Sequence, residues 1–171
     1  MDSFKLDIDV IYTLRGSRQV GKTTTLKLLI EKLLMKHPKE NIFYFTCNNV
    51  DNYKELIDIL KIYFDWQEHS QRKYIFIDEI TFVKEWTRAI KHLADIGMLR
   101  NVTMILSGAN AYDLQYEIER MPGRRGQDVQ LDKVLFPLSF RNYISLIKPY
   151  IIEKFSNIKS AEKNFFFIRK S

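Results

Sequence analysis

The sequence holds a single cysteine, Cys47, in 171 residues. That excludes an internal disulfide and any cysteine-based zinc site within the chain. The three histidines, His37, His69 and His92, share no metal-ligand spacing and read as surface or structurally satisfied side chains. No His/Cys or Ser/His/Asp constellation suggests nucleophilic catalysis. No apolar run approaches the ~20 residues a membrane span requires. The first ten residues alternate acidic and apolar types and lack a basic stretch leading into an apolar one, so no secretory signal is read there. Together these absences make a reducing cytoplasm the expected location. Glycine is scarce as well: four of the six fall in two short segments, 16–21 and 123–126. What remains is an ordinary globular composition, 46% hydrophobic and 28% charged, long enough for one domain with a sizeable core.

The formal net charge is +6, and its location matters more than its size. Residues 141–171 carry seven Lys+Arg against two acids, so most of the excess sits in this tail. A basic tail can touch nucleic acid or an acidic partner, and it can equally be a solvated chain end. Within it, Phe165-Phe166-Phe167-Ile168 is apolar without periodicity. It reads as an edge strand, a partner contact or the abnormal end of a truncated reading frame.

Strands and helices alternate along the rest of the chain. Residues 10–14 form an apolar, β-branched run suited to a buried strand. From Lys22 to Lys36, Leu26, Leu29, Ile30, Leu33 and Leu34 fall at helical spacing, and Pro38 closes that helix. Further strands are expected over 42–47, 73–80, 102–106 and 129–135. Further helices are expected over 51–66, 84–96 with Gly97 beyond its end, 111–119, and from Phe140 to Ile147. Such alternation predicts an α/β fold with a parallel sheet covered on both faces.

Gly16-Ser17-Arg18-Gln19-Val20-Gly21-Lys22-Thr23 matches the phosphate-loop pattern G-x-x-x-x-G-K-[ST], between a predicted strand and a predicted helix. Glycines let the main chain approach phosphates, and successive N–H groups form an anion nest. The helix start adds the positive end of its dipole. Residues 16–24, through Thr24, are therefore the expected nucleotide-binding segment. Lys22 would reach the β- and γ-phosphates, and the Thr23 hydroxyl would ligate magnesium. Arg18 is a further phosphate or partner contact, with Arg15 a weaker one.

Tyr74-Ile75-Phe76-Ile77-Asp78-Glu79 is an apolar strand ending in two carboxylates, 55 residues beyond Thr23. Asp78 would hold the magnesium, and Glu79 would act as general base on the attacking water. The added glutamate favours hydrolysis over transfer to an acceptor. A polar residue at the tip of a neighbouring strand can orient that water or touch the γ-phosphate. Ser107 and Asn110 qualify, and position favours Ser107. Arg124 and Arg125 sit between glycines, where a guanidinium could stabilise phosphate charge in cis, or in trans as an arginine finger in a homo-oligomer.

With these residues in place, the chain resembles the AAA-type ATPases of archaea and bacteria that often carry a DUF4143 region. The resemblance rests on residues 12–24, Phe76-Ile77-Asp78-Glu79-Ile80, Trp86-Thr87-Arg88-Ala89-Ile90-Lys91 and Leu106-Ser107-Gly108-Ala109-Asn110. It rests also on the more group-specific Met121-Pro122-Gly123-Arg124-Arg125-Gly126 and Phe136-Pro137-Leu138-Ser139-Phe140-Arg141. It covers roughly residues 10–143. It implies a three-layer P-loop NTPase in which the sensor strand separates the phosphate-loop (Walker A) strand from the Asp78 (Walker B) strand. It also implies adenine as the base and raises Arg124 over Arg125. Members of the group usually continue into a region of winged-helix character, which residues 141–171 do not resemble. The expected organisation is an ATPase domain over 1–140 and a basic helix and tail over 141–171, a truncated remnant. The leading expectation is magnesium-dependent ATP hydrolysis. The alternatives are a nucleotide-dependent switch with little turnover, or a DNA-associated factor using the basic tail.

Overall fold

The computed structural model describes residues 4–66, 71–109, 125, 126, 128 and 130–150. Five strands, β1 (Val10–Arg15), β2 (Ile42–Thr46), β3 (Lys73–Asp78), β4 (Val102–Gly108) and β5 (Asp132–Val134), pair in parallel in the order β2-β3-β4-β1-β5. β1, β2 and β3 are each followed by a helix: α1 (Lys22–Leu34), α2 (Tyr53–Asp65) and α3 (Trp86–Asp95). β4, the expected sensor strand, lies between β1 and β3 as the family resemblance implied.

The layers follow from the period of two along each strand. Ile11, Ile75, Ile77, Met104 and Leu106 enter one apolar cluster, with Leu56 and Leu60 of α2 and Trp86, Ile90 and Leu93 of α3. The alternate residues Val10, Tyr12, Leu14, Tyr74, Phe76 and Ile105 enter a second cluster, with Leu26, Leu29 and Leu33 of α1. The sheet is thus buried on both faces, which is why β1, β3 and β4 read as continuous apolar runs. All strands share one direction, so their C-terminal ends line one edge. There Thr46 pairs with Asp78, and Leu14 with Ser107.

Local chemistry moves several element ends from their expected places. α2 starts at Tyr53 because the Asn52 side chain accepts hydrogen bonds from the Lys54 and Glu55 amides at 3.0 and 3.3 Å, an N-cap. α3 starts at Trp86, two residues late, because the chain after β3 first makes a 3-10 turn, Ile80–Phe82. Beyond α3, Gly97 has φ +79°; its amide bonds Ala94 and that of Met98 bonds Leu93, closing the helix as its glycine predicted. β5 is shorter than expected, three residues paired with β1 alone at the sheet edge.

The chain divides into two compact units after Phe136. In the second, α4 (Phe140–Ile147) is capped by the Ser139 hydroxyl, which accepts from the Asn142 amide at 3.2 Å. Asn110, the helix expected over 111–119, Arg124, and residues 151–171 with their Phe-rich run lie outside the described residues. No helix among the described residues is long and apolar enough to cross a membrane.

The two neighbouring arginines are distinguished by Arg125 itself. Its side chain is buried and forks onto Asp132 at 2.8 and 3.2 Å, while its carbonyl accepts from the Ile11 amide at 2.9 Å. Arg125 therefore braces β1 against β5 and is committed to the fold. Burial pushes the Asp132 carboxyl up, but hydrogen bonds from Arg125 and Thr13 outweigh it and hold it below the usual carboxylate range. A depressed carboxyl stabilises the fold fully above its unfolded value, ~3.9, and that contribution is lost as pH falls through the folded value. Asp132→Asn is expected to cost about 1–3 kcal/mol at neutral pH. The gap from wild type should close on acidification below about pH 4, as read by urea melts across pH.

Candidate functional site

β1 delivers the chain directly into the loop 16–21, and α1 begins at Lys22. Gly16 is buried, and a Cβ there would lie 2.5 Å from the Leu135 carbonyl oxygen, so only glycine lets the loop leave the sheet at this point. Gly21 caps α1 at φ +101°, with no side chain bonding the helix's first amides. Those amides stay oriented toward the loop's concavity, where an anion can satisfy them. Lys22 is only 4% exposed. Its ammonium donates to the carbonyls of Gly16 and Ser17, each at 3.1 Å, and stands 3.9 Å from a Glu79 oxygen. Ser17, Arg18, Gln19 and Thr24 are exposed, and Val20 is half-buried.

Across from the loop, Asp78 ends β3 and is 3% exposed. Three hydroxyls converge on it. Thr23 donates to Oδ2 at 2.6 Å, Tyr44 donates to the same oxygen at 3.1 Å, and Ser107 donates to Oδ1. Sheet geometry explains the meeting. Tyr44, Asp78 and Ser107 all project from the α1 face, where Thr23 sits in the first turn of that helix. The carboxylate charge and burial act on its neighbours in turn. Burial, then Asp78, pushes the Tyr44 phenol up to about 12 and the Cys47 thiol likewise to about 12, so both stay protonated and Cys47 is inert.

Glu79 leaves the strand with φ +55°, a left-handed backbone unusual for its type. Its amide donates to the Ser107 hydroxyl at 3.2 Å, which holds the turn. One carboxylate oxygen faces Lys22; the other, Oε2, is buried with no hydrogen-bond partner among the described residues. Arg18, Gln19, Thr23, Asp78 and Glu79 line one cleft of about 450 Å³, with Tyr44, Thr46, Asn48 and Phe82.

The arrangement is a phosphate loop facing two acids at the adjacent strand end, and comparison with known proteins agrees with it. The family model described as AAA domain matches residues 9–144. The chain belongs to the AAA domain family. A curated relative from Methanocaldococcus jannaschii, an uncharacterized protein, is 28% identical over 157 residues, covering 90% of this chain. This AAA domain spans about a third of that relative's length, 31%. Among solved structures it is similar in fold to Cdc6p from Pyrobaculum aerophilum (14% identity, TM-score 0.56, 80% of this chain and 41% of that one). It is similar also to a Walker-type ATPase of Pyrococcus abyssi (14% identity, TM-score 0.50, 84% and 53%).

Within the AAA domain, the loop residues, Asp78, Glu79 and Ser107 come together at one strand edge, whereas Arg124 lies outside the described residues. Ser107 is fully buried, and both of its hydrogen bonds go to Asp78 and Glu79. Its hydroxyl fixes the two acids. Sequence reasoning did not single out Tyr44. The available signal was a hydroxyl two residues before the end of an otherwise apolar strand, on the same alternate face as Thr46.

Proposed function

We propose that this AAA domain binds ATP with magnesium and hydrolyses it to drive a conformational change. The observation that carries the reading is the 2.6 Å approach of the Thr23 hydroxyl to the buried Asp78 carboxylate, with Glu79 next in the chain and lining the same cleft. One carboxylate and one hydroxyl form a hard-oxygen donor set. That suits magnesium, which keeps waters and phosphate oxygens as its remaining ligands. Thr23 and Asp78 would hold the cation, which neutralises developing phosphate charge.

The chain's own groups then divide the work. The amides of residues 16–24 cradle the phosphates. Lys22 exchanges its two loop carbonyls for the β- and γ-phosphate oxygens. Glu79, which lines the cleft, takes a proton from the attacking water. Ser107 keeps both acids in register. Arg124, in cis or from a neighbouring copy, supplies positive charge to the leaving phosphate. Most of the rate would come from positioning and electrostatics.

Titration calorimetry with ATP and magnesium, alongside phosphate release, tests the proposal. Lys22→Ala is expected to weaken ATP binding at least about tenfold, the loss of a charge-assisted contact, and to abolish phosphate release. Absence of any heat with folded wild-type protein, and identical behaviour of Lys22→Ala, would refute it.

A further inference from the structure

The Asp78 carboxylate is held at both oxygens. Ser107 alone among the described side chains donates to Oδ1; Thr23 and Tyr44 share Oδ2. Thr23 belongs to α1 and to the phosphate loop, so its hydroxyl is required elsewhere in the proposed magnesium-ATP site. Tyr44 has no such second task. It stands on β2, the edge strand, with its hydroxyl 3.1 Å from Oδ2 and its side chain lining the cleft. Its side chain is half-buried and packs against the apolar cluster that includes Phe76 and Leu26, which limits where the hydroxyl can reach.

We propose that Tyr44 is a positioning residue for the magnesium site, holding the Oδ2 side of the Asp78 carboxylate in its ligating orientation when the Thr23 hydroxyl turns away. This rests on the magnesium-ATP reading above. A phenol suits the task. It donates one directional hydrogen bond, adds no charge that would compete with a cation, and is stiff enough to act as a strut. Lysine or arginine there would offset the charge the carboxylate offers the metal. Phenylalanine would keep the packing and leave Oδ2 without its second anchor.

The test separates the metal-dependent part of binding from the rest. ATP is titrated into wild type and Tyr44→Phe by calorimetry, once in excess EDTA and once in saturating magnesium chloride, with thermal melts as a control for folding. Wild type should bind ATP more tightly with magnesium. Tyr44→Phe should retain its EDTA affinity and lose about tenfold of the magnesium-dependent gain, the worth of one hydrogen bond to a charged group. The magnesium concentration giving half-maximal phosphate release should rise by a similar factor, with the plateau rate nearly kept. A merely structural tyrosine would shift both affinities equally or lower only the melting temperature, and either result overturns the assignment. If wild type gains nothing from magnesium, the parent reading falls. If wild type gains and Tyr44→Phe gains equally, only the role of Tyr44 falls.

Discussion

Glu79→Gln is expected to lower ATP turnover by about 10²–10⁴-fold while leaving ATP binding within a few-fold of wild type. Glutamine keeps the size of the side chain and can still face Lys22, but it cannot accept the proton of an attacking water. The geometry isolates that function. Glu79 contributes no hydrogen bond from Oε2 to the described fold, and the turn that presents it is held through its backbone amide by Ser107. The substitution should therefore change stability by little more than the loss of the 3.9 Å ion pair with Lys22. Single-turnover phosphate release, paired with calorimetric ATP titration, measures the two effects separately. Equal and measurable rates in both proteins would remove Glu79 from the role of base. Equal and negligible rates with binding intact would favour a nucleotide-dependent switch.

The largest effect on stability is expected at Trp86. Trp86→Ala should cost about 3–5 kcal/mol, a large share of the 5–15 kcal/mol typical of a whole domain. The indole is 1% exposed at the start of α3 and packs in the same cluster as Ile80 and Val83, which belong to the turn directly after Glu79. Its removal would open a cavity beneath the C-terminal edge of the sheet, so lost stability should be accompanied by loss of the proposed turnover. Urea unfolding should show a lower midpoint at an unchanged slope. Trp66 supplies the contrast. It is 83% exposed, and Trp66→Ala should stay within about 0.5 kcal/mol of wild type. Intrinsic fluorescence distinguishes the two indoles, since only the buried one changes environment strongly on unfolding.

Legibility in the sequence followed how local each constraint is. The loop 16–21 was legible because glycine, lysine and threonine stand at the spacing of a strand-to-helix phosphate-loop pattern, and the loop does join β1 to α1. That Asp78 and Glu79 stand beside the loop was legible because an apolar strand ends in those two acids, and both line one cleft with Thr23. The core faces of α1 and α3 were readable from their period. The sheet order came from the resemblance, since alternation alone does not say which strands are neighbours. Tyr44 went unnoticed because its partner is 34 residues away and on another strand, and such pairings leave no local pattern. Spacing alone did not tell Arg125 from Arg124, because two adjacent arginines between glycines look alike; the resemblance alone put Arg124 first. Only the position of Asp132, brought alongside by β5, shows that Arg125 is consumed by the fold. The left-handed backbone at Glu79 left no mark either, because that conformation normally announces itself through glycine or asparagine.

The Ser107 hydroxyl bridges two chemical roles from a strand that carries neither: it donates to the carboxylate of Asp78 and accepts from the amide of Glu79. The two acids are consequently not independent components. In a double-mutant cycle, substitutions at Asp78 and Ser107, or at Ser107 and Glu79, should deviate from additivity. A drift of β4 by a fraction of an ångström would mis-set both acids at once, and no adjustment of one acid alone would repair it. For anyone redesigning this domain, the tips of β3 and β4 form one unit of inheritance, to be transplanted or altered together.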